Sequence, residues 1–587
     1  MSEERGSWGS KLGFILAASG SAIGLGNIVF FSSNAYKYGG GAFYMPDLVA
    51  LFLIGMPVMI LELGAGRFAR RSMPNALHHF AGKRAELAGW FGALNASIIT
   101  MYYIAILSWI FGMWIGSLGT LWQASPVEAF GLASGELSNS MSYFFNMISS
   151  SRPLVFVVVI WAANILIIIK GAKSIEAVVK IFVPLMWVMM IVLIIRGVTL
   201  PGGVEGIFYL FTPDFSVMGD VGIWKGAFSQ MFFTLSLGFG IMMAYASYLP
   251  PKNDDVLSAT TISFLNCSFE YIAGLAIFSL LFAFAIAPKA SSLSMIFFVV
   301  PEGIAEFPAF VGIFGFLFFT LLLMAGLTSS VSLVESVVVS VMDKFGLPRN
   351  RVLVGIFAVG LAGSLLFVLP EVIDPGLNDD GTLGFTLLDL LDHWAFGYGL
   401  LICGLLELII LGWLYDIDAL LAFINRNSKV KLGAKFKFLV RYILPLVILS
   451  ILVLSAVDEV TGGLYGSAME TGKYVGLHLM AFAGWIVFSF GGAALFTVLR
   501  RRGEGGGCVM TKTTVFVLAL VGVMLGPVSA AELSMDDEFP VVGQDREVSV
   551  SGVERPEDLV LWVVHSPTSE TQTEEEIGRF SADGTVT

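Results

Sequence analysis

The chain has 587 residues, of which 56% are hydrophobic and 13% charged. A soluble domain carries about 25% charged residues, so this composition excludes a soluble enzyme or binding module and points to a protein embedded in lipid. Of the formal net charge of -12, -11 falls between Ala531 and Thr587, where 14 acids meet 3 arginines; the rest is nearly neutral and offers no surface to a nucleic acid.

A helix crossing a bilayer needs roughly 20 apolar residues. Such runs lie near 12–33, 43–66, 88–120, 154–170, 177–199, 223–249, 257–287, 308–341, 352–370, 383–414, 438–457 and 473–499, which predicts an all-α integral membrane protein of twelve spans. Span 1 begins only after Arg5 and Lys11, lacks a small-residue cleavage site and precedes further spans, so it is not a cleaved signal. Its middle reads "ASGSAIGLGNIVFF" (Ala18–Phe31). Glycine costs a helix about 1 kcal/mol relative to alanine, and lipid offers an amide no partner. Asn27 therefore either bridges helices or ligates an ion. An unwound stretch exposes carbonyls that a dehydrated cation satisfies and N–H groups that suit a carboxylate, so the weak point of this helix is predicted to be a binding site.

Within span 2, Glu62 is expected to brace the unwound part of span 6. Span 6, "SQMFFTLSLGFGIMMAYASY" (Ser229–Tyr248), repeats the oddity of span 1, with Thr234, Ser236, Gly238 and Gly240 at its centre. Two interrupted spans five apart predict an inverted repeat of five plus five helices, with spans 11 and 12 outside it. Span 7 places Asn266 and Glu270 at i and i+4, on one helix face. An intramembrane carboxylate is a functional candidate by default. Thr328 and Ser329 give span 8 adjacent hydroxyls, a weak signal alone because hydroxyls bond back to their own helix.

Lysine and arginine cluster before span 1 and after spans 2, 4, 8, 10 and 12, whereas 200–222 and 371–382 hold none. Both ends of the twelve-span core are therefore expected in the cytoplasm. Cys267 and Cys403 sit inside spans and Cys508 beyond them, leaving no disulfide framework, and five scattered histidines give no metal spacing. His78 and His79 read as solvated loop residues. The expected division is a transporter core over 1–502, a linker and hydrophobic segment over 503–532, and an acidic extracytoplasmic tail over 533–587. The apolar stretch 513–530 reads equally as a thirteenth span or a secretory signal. "REVSVSG" and "DLVLWVVHS" alternate like strands, so the tail is expected to be a partial β domain.

The stretches "GSAIGLGNIV", "YGGGAF" (Tyr38–Phe43), "MYYIAILSW" (Met101–Trp109), "LPGGVEGIFYLFTPDF" (Leu200–Phe215), "QMFFTLSLGFG" (Gln230–Gly240) and "AGLTSS" (Ala325–Ser330) resemble the neurotransmitter:sodium symporter family, and most closely its bacterial LeuT-like amino-acid transporters. The likeness covers roughly residues 5–500 with the motifs in order. It implies a LeuT-like fold with helices 1 and 6 unwound at mid-membrane, and two transported sodium ions. The first would be held by Ala22, Asn27, Thr234, Asn266 and the substrate carboxylate. The second would be held by Gly20, Ile23, Ala325, Thr328 and Ser329. Carried over residue by residue, the pocket comprises Ile99, Tyr103, Phe233, Ser236, Phe239, Ser330 and Leu333, with Leu25 and Gly26 amides on the carboxylate and Phe233 as an outer lid. Its apolar walls imply a hydrophobic amino acid. Gly24 stands where amine transporters of this family carry aspartate, which leaves room for a substrate carboxylate. Glu270 matches the acid of chloride-independent members and implies transport without chloride, the emptied site taking a proton outward in exchange.

The chain departs from the family pattern at the outer gate. Asp392 matches the gate acid, but Phe30 replaces its arginine and Ser21 replaces an asparagine of related bacterial proteins. The outer gate is expected to close by Phe30 packing over Phe233 while Gln230 bonds Asp392. At the inner gate Arg5 and Trp8 are expected to meet Asp343, with Tyr248 nearby. The resulting expectation is sodium-coupled uptake by alternating access in a prokaryotic plasma membrane, with a homodimer left open; the alternative is a sensor of the same fold that binds without transporting. No nucleophile–base pair or metal cluster in the spans supports an enzyme.

Overall fold

The computed structural model describes residues 6–118, 139–286, 292–373, 383–462, 472–499, 560–564 and 574–579. Two compact units divide the chain, Met1–Ser529 and Ala530–Thr587. In the second, Val560–Val564 pairs antiparallel with Glu574–Arg579, with an irregularity between Leu561 and Trp562, so the stretch around "DLVLWVVHS" does contain a strand. The stretch "REVSVSG", the segment 503–532 and Arg5 lie outside the described residues.

The first unit is helical among its described residues. Eight helices are long and apolar enough to cross a bilayer: Gly40–Ala69, Met73–Leu118, Ala172–Val198, Asp255–Ala283, Val311–Phe345, Thr386–Leu414, Ala434–Thr461 and His478–Val498. Span 1 is a bent pair, Lys11–Ala22 and Gly26–Lys37, turning by 53°, and Arg152–Ile168 forms span 4 after a sharp 84° turn from Ser140–Ile148. Span 6 is split into Val221–Thr234 and Ile241–Ala246, and span 9 is the 17-residue helix Arg349–Leu365. Helix thus occupies each of the twelve predicted runs.

Burial sorts these helices into a centre and a rim. The most apolar window of Met73–Leu118 is 83% buried, whereas those of Ala172–Val198 and Ala434–Thr461 are 28% buried. Exposed Ile181, Val188 and Ile195 on the former and Leu446, Leu449 and Val453 on the latter make faces that suit acyl chains and not water. At the centre, span 3 lies against span 8 so closely that a Cβ on Gly326 would come within 2.1 Å of Leu107 Cδ2. Small residues permit such backbone approach where lipid gives no hydrophobic drive for helix association.

Several charges that read as loop residues in the sequence are structural. Span 3 continues back to Met73 across a kink at Ala81 and Gly82, and His78 Nδ1 lies 2.8 Å from Glu86 Oε2, so His78 is not a solvated loop residue. Lys344 Nζ bonds Glu86 Oε1 at 2.6 Å, both side chains 1% exposed. Arg67 donates from Nε to both Asp255 oxygens at 2.8 and 2.9 Å and from a terminal nitrogen to the Pro251 carbonyl at 2.6 Å, with its guanidinium over the Phe423 ring. Removing one partner of such a pair strands a buried charge at a cost of about 3–5 kcal/mol. Arg67→Ala is therefore expected to lower the thermal unfolding midpoint of the detergent-solubilised protein by many degrees; an unchanged midpoint would mean that water reaches Asp255.

Candidate functional site

The two helix breaks face each other. The first half of span 1 stops at Ala22, where Ile23 turns to φ -72°, ψ 94°, and the chain resumes at Gly26 with a π-helical turn, a geometry frequent at functional sites. The amide of Gly24 is capped by Asn27 Oδ1 at 2.8 Å, and Leu25 N donates to the Tyr103 hydroxyl at 3.4 Å. In span 6 the break runs from Leu235 to Gly240, with Ser236, Gly238 and Gly240 at φ 54°, 75° and 72°. Glycine reaches that region at no steric cost, whereas a serine there is strained. Glu62, fully buried, accepts from Gly238 N at 2.8 Å and so bonds a peptide N–H that helix geometry has abandoned.

Polar groups converge on both sides of this crossing. The Asn266 side-chain amide lies 2.8 Å from that of Asn27, 2.9 Å from Thr234 Oγ1 and 3.1 Å from the Ala22 carbonyl, and Asn27 Nδ2 lies 2.8 Å from Thr234 Oγ1. Beside Thr234 stands Glu270, whose Oε2 accepts from its hydroxyl at 3.4 Å and whose Oε1 accepts from Gln230 Nε2 at 2.7 Å. On the other side, Thr328 Oγ1 bonds the Ala325 carbonyl at 2.9 Å, and Ser329 Oγ bonds the Ser21 carbonyl at 2.9 Å. A Cβ on Gly20 would lie 3.6 Å from Thr328 Cβ, so the end of the first half-helix sits on this face of span 8.

Between the two groups lies a small cavity lined by Ser21, Ala22, Gly24, Gly26, Tyr103, Phe233, Ser236, Phe239, Ile241, Ser329 and Leu333. A Cβ on Gly24 would stand 2.7 Å from Ser329 Oγ and 3.3 Å from the Tyr103 hydroxyl. Phe30 stacks on Phe233 with centroids 5.5 Å apart, and Phe396 meets Phe233 edge-on at 4.7 Å.

The family model of the sodium:neurotransmitter symporter family matches residues 5–131 and 133–490. The chain belongs to this family. It is a sodium-coupled membrane transporter and not an enzyme. An uncharacterized sodium-dependent transporter of Methanocaldococcus jannaschii is 37% identical over 80% of this chain and 94% of its own. A sodium-dependent neutral amino acid transporter of Rattus norvegicus is 31% identical over 48% of this chain and 41% of its own. The crystal structure of MhsT in complex with L-phenylalanine superimposes with a TM-score of 0.66 at 33% identity, covering 77% of this chain and all of that one. The LeuT-like class expected from the sequence is thus the class of this symporter.

Most of the expected pocket residues of the symporter line its cavity, but Leu25, Ile99 and Ser330 do not. Ser330 Oγ donates to Asn164 Oδ1 of span 4 at 2.8 Å, because one step along a helix turns a side chain by about 100° from its neighbour Ser329. Ile99 is fully buried but absent from the cavity wall. Ser21 and Ile241 are wall residues that sequence reasoning did not include. Ser21 Oγ lies 2.5 Å from Ser332 Oγ and 3.4 Å from Ser236 Oγ, giving the aromatic cavity a polar floor. The departure from asparagine at position 21 was the only signal of it.

The gates of the symporter also differ from expectation. Gln230 does not bond Asp392; it is held between Glu270 and Asn34, whose Nδ2 donates at 3.2 Å, since an amide gains more from a buried carboxylate than from a distant one. Asp392 instead accepts from the Tyr102 hydroxyl at 2.6 Å. At the other end the Trp8 indole N–H goes to the Tyr245 carbonyl at 2.9 Å, Asp343 accepts from Ser72 N at 2.7 Å, and Tyr248 donates to Glu335 at 2.8 Å. Glu335 is also paired with Arg349. The bulky Trp8 ring fills a slot between Phe14, Tyr245 and Tyr248, which aims its N–H at the Tyr245 carbonyl.

Proposed function

We propose that the chain carries one hydrophobic L-amino acid inward with two sodium ions, without chloride, and returns a proton on Glu270. The observation that carries this reading is the crossing of two broken helices over a cavity walled by Tyr103, Phe233, Phe239, Ile241 and Leu333. The first ion would be held by Ala22, Asn27, Thr234, Asn266 and the substrate carboxylate, replacing hydrogen bonds those groups now make to one another. The second would be held by Gly20, Ile23, Ala325, Thr328 and Ser329. Neutral oxygens in a water-poor cage suit a hard monovalent cation, and a carboxylate shared between ion and substrate couples the two. The amides of Leu25, which now donates to the Tyr103 hydroxyl, and of Gly26 would receive that carboxylate. MhsT with L-phenylalanine, and relatives named for neutral amino acids, support the substrate class.

Glu270 would supply the charge that other members take from chloride. Once sodium departs, the carboxylate loses its counter-charge and takes a proton on the return stroke. Phe30, stacked on Phe233, and Phe396, edge-on to it, would form an outer gate, with Tyr102 holding Asp392, while Trp8, Tyr248 and Asp343, with Arg5, would belong to the inner one. The lysine and arginine pattern supports a cytoplasmic position for both ends of the twelve-span core, in what we take to be a prokaryotic plasma membrane, with 1–502 as the transporter. Proteoliposomes test the reading. Labelled L-phenylalanine should accumulate under an inward sodium gradient, equally in chloride and gluconate, while the lumen turns alkaline. Strict chloride dependence would refute the role of Glu270, and sodium-dependent binding without accumulation would make the chain a sensor.

A further inference from the structure

The serine floor of the cavity has a hydrogen-bonding polarity. Each hydroxyl has one proton to give and two lone pairs to receive one. Ser236 Oγ donates to the Ser21 carbonyl at 3.1 Å, and Ser329 Oγ donates to the same carbonyl at 2.9 Å. Ser332 Oγ donates to the Ser329 carbonyl at 2.7 Å, so in its 2.5 Å contact with Ser332 the Ser21 hydroxyl is the donor. With that contact reversed, Ser21 gives its proton to Ser236 Oγ at 3.4 Å. In both arrangements every proton of these four hydroxyls is spent on another protein group. Ser21 and Ser236, which line the cavity, therefore offer it lone pairs and no proton.

The arrangement is held against strain. Ser236 sits at φ 54°, where glycine is at ease and serine is not, and its bond to the Ser21 carbonyl ties the break in span 6 to the end of the first half of span 1. The other walls are apolar and include Phe233 and Phe239, edge to face with centroids 6.5 Å apart. A purely apolar side chain fills such a space but leaves buried acceptors unsatisfied, and an ether or carboxylate meets them lone pair to lone pair. A side chain with an apolar body and a neutral donor satisfies both parts of the cavity. Among the natural side chains the phenol of tyrosine and the indole of tryptophan combine a large apolar body with such a donor. We infer that the Ser21–Ser236 floor is a specificity determinant that selects an aromatic amino acid bearing an O–H or N–H over its donor-free counterpart. This rests on the reading that the cavity holds the side chain of an amino acid, and it names which hydrophobic amino acids are preferred.

Two matched ligand pairs test it, by equilibrium binding to the purified full chain in sodium: L-tyrosine against para-methyl-L-phenylalanine, and L-tryptophan against benzothienyl-L-alanine. Each pair keeps the shape of the side chain and removes its donor. In at least one pair the donor-bearing member should bind about tenfold tighter. S21A or S236G should bring that pair close to equal; S236G relieves the strained φ and so tests the floor independently of any folding defect in S21A. Equal binding within both pairs of the unmodified chain overturns the inference, as does a preference that survives in both variants. Sodium-dependent binding of L-phenylalanine with none of the four ligands bound also overturns it, yet leaves the amino-acid reading standing. Absence of sodium-dependent binding by L-phenylalanine and all four ligands defeats that reading itself, so the two failures are distinguishable.

Discussion

Gly24→Ala is expected to weaken sodium-dependent amino-acid binding by roughly 5- to 150-fold, since overfilling a packed site costs about 1–3 kcal/mol. The new methyl would lie 2.7 Å from Ser329 Oγ and 3.3 Å from the Tyr103 hydroxyl, so one of those groups must move. Ser329 is tied to the Ser21 carbonyl and Tyr103 to the Leu25 amide, and displacing either would disturb the groups proposed to receive the carboxylate. Because the clash is with the site and not with the scaffold, the thermal midpoint should change little. Equilibrium binding alongside a thermal melt checks both halves. Undiminished binding would mean that the substrate does not pass over Gly24.

Asn27→Ala should raise the sodium concentration for half-maximal binding by at least tenfold. Its side chain is fully buried, caps Gly24 N and touches both Thr234 and Asn266. Removing it leaves several buried groups without partners, at about 1–3 kcal/mol each, and would delete an oxygen from the proposed first ion site. A structural role alone would lower stability equally with and without sodium. An ion ligand predicts more, namely that the stabilisation added by sodium itself shrinks, because binding to the folded state is what supplies it. Melts across a sodium series separate the two.

Much of this architecture was legible because membrane chains obey few rules. Hydrocarbon forces backbone groups to pair internally, so the apolar runs marked the helices, and glycines and serines at mid-span marked where two of them fail. Ser229–Tyr248 announced its own break, and the structure puts that break at Leu235–Gly240. The pocket walls came from the resemblance to known symporters and not from periodicity. Glu62 could be placed because it is an acid with no other reason to lie in span 2.

What escaped was pairing across distant spans. Arg67 and Lys344 look like ordinary loop charges in a linear sequence, and only the fold shows them locked to Asp255 and Glu86. Ser330 was misplaced because adjacent serines are equivalent in a motif but lie about 100° apart on a helix. Gln230 was assigned to the wrong acid for a similar reason: which carboxylate an amide reaches depends on a rotamer that sequence does not encode.

The central claim is that two interrupted helices hold an ion and an amino acid as mutual ligands, so that neither binds well alone. Equilibrium binding of labelled L-phenylalanine to the purified protein, in sodium and in potassium at equal ionic strength, addresses it most directly. The account predicts that binding in potassium is at least a hundredfold weaker, and that the substrate raises sodium affinity by the same factor, as linkage requires. Equal affinity in the two salts would contradict it.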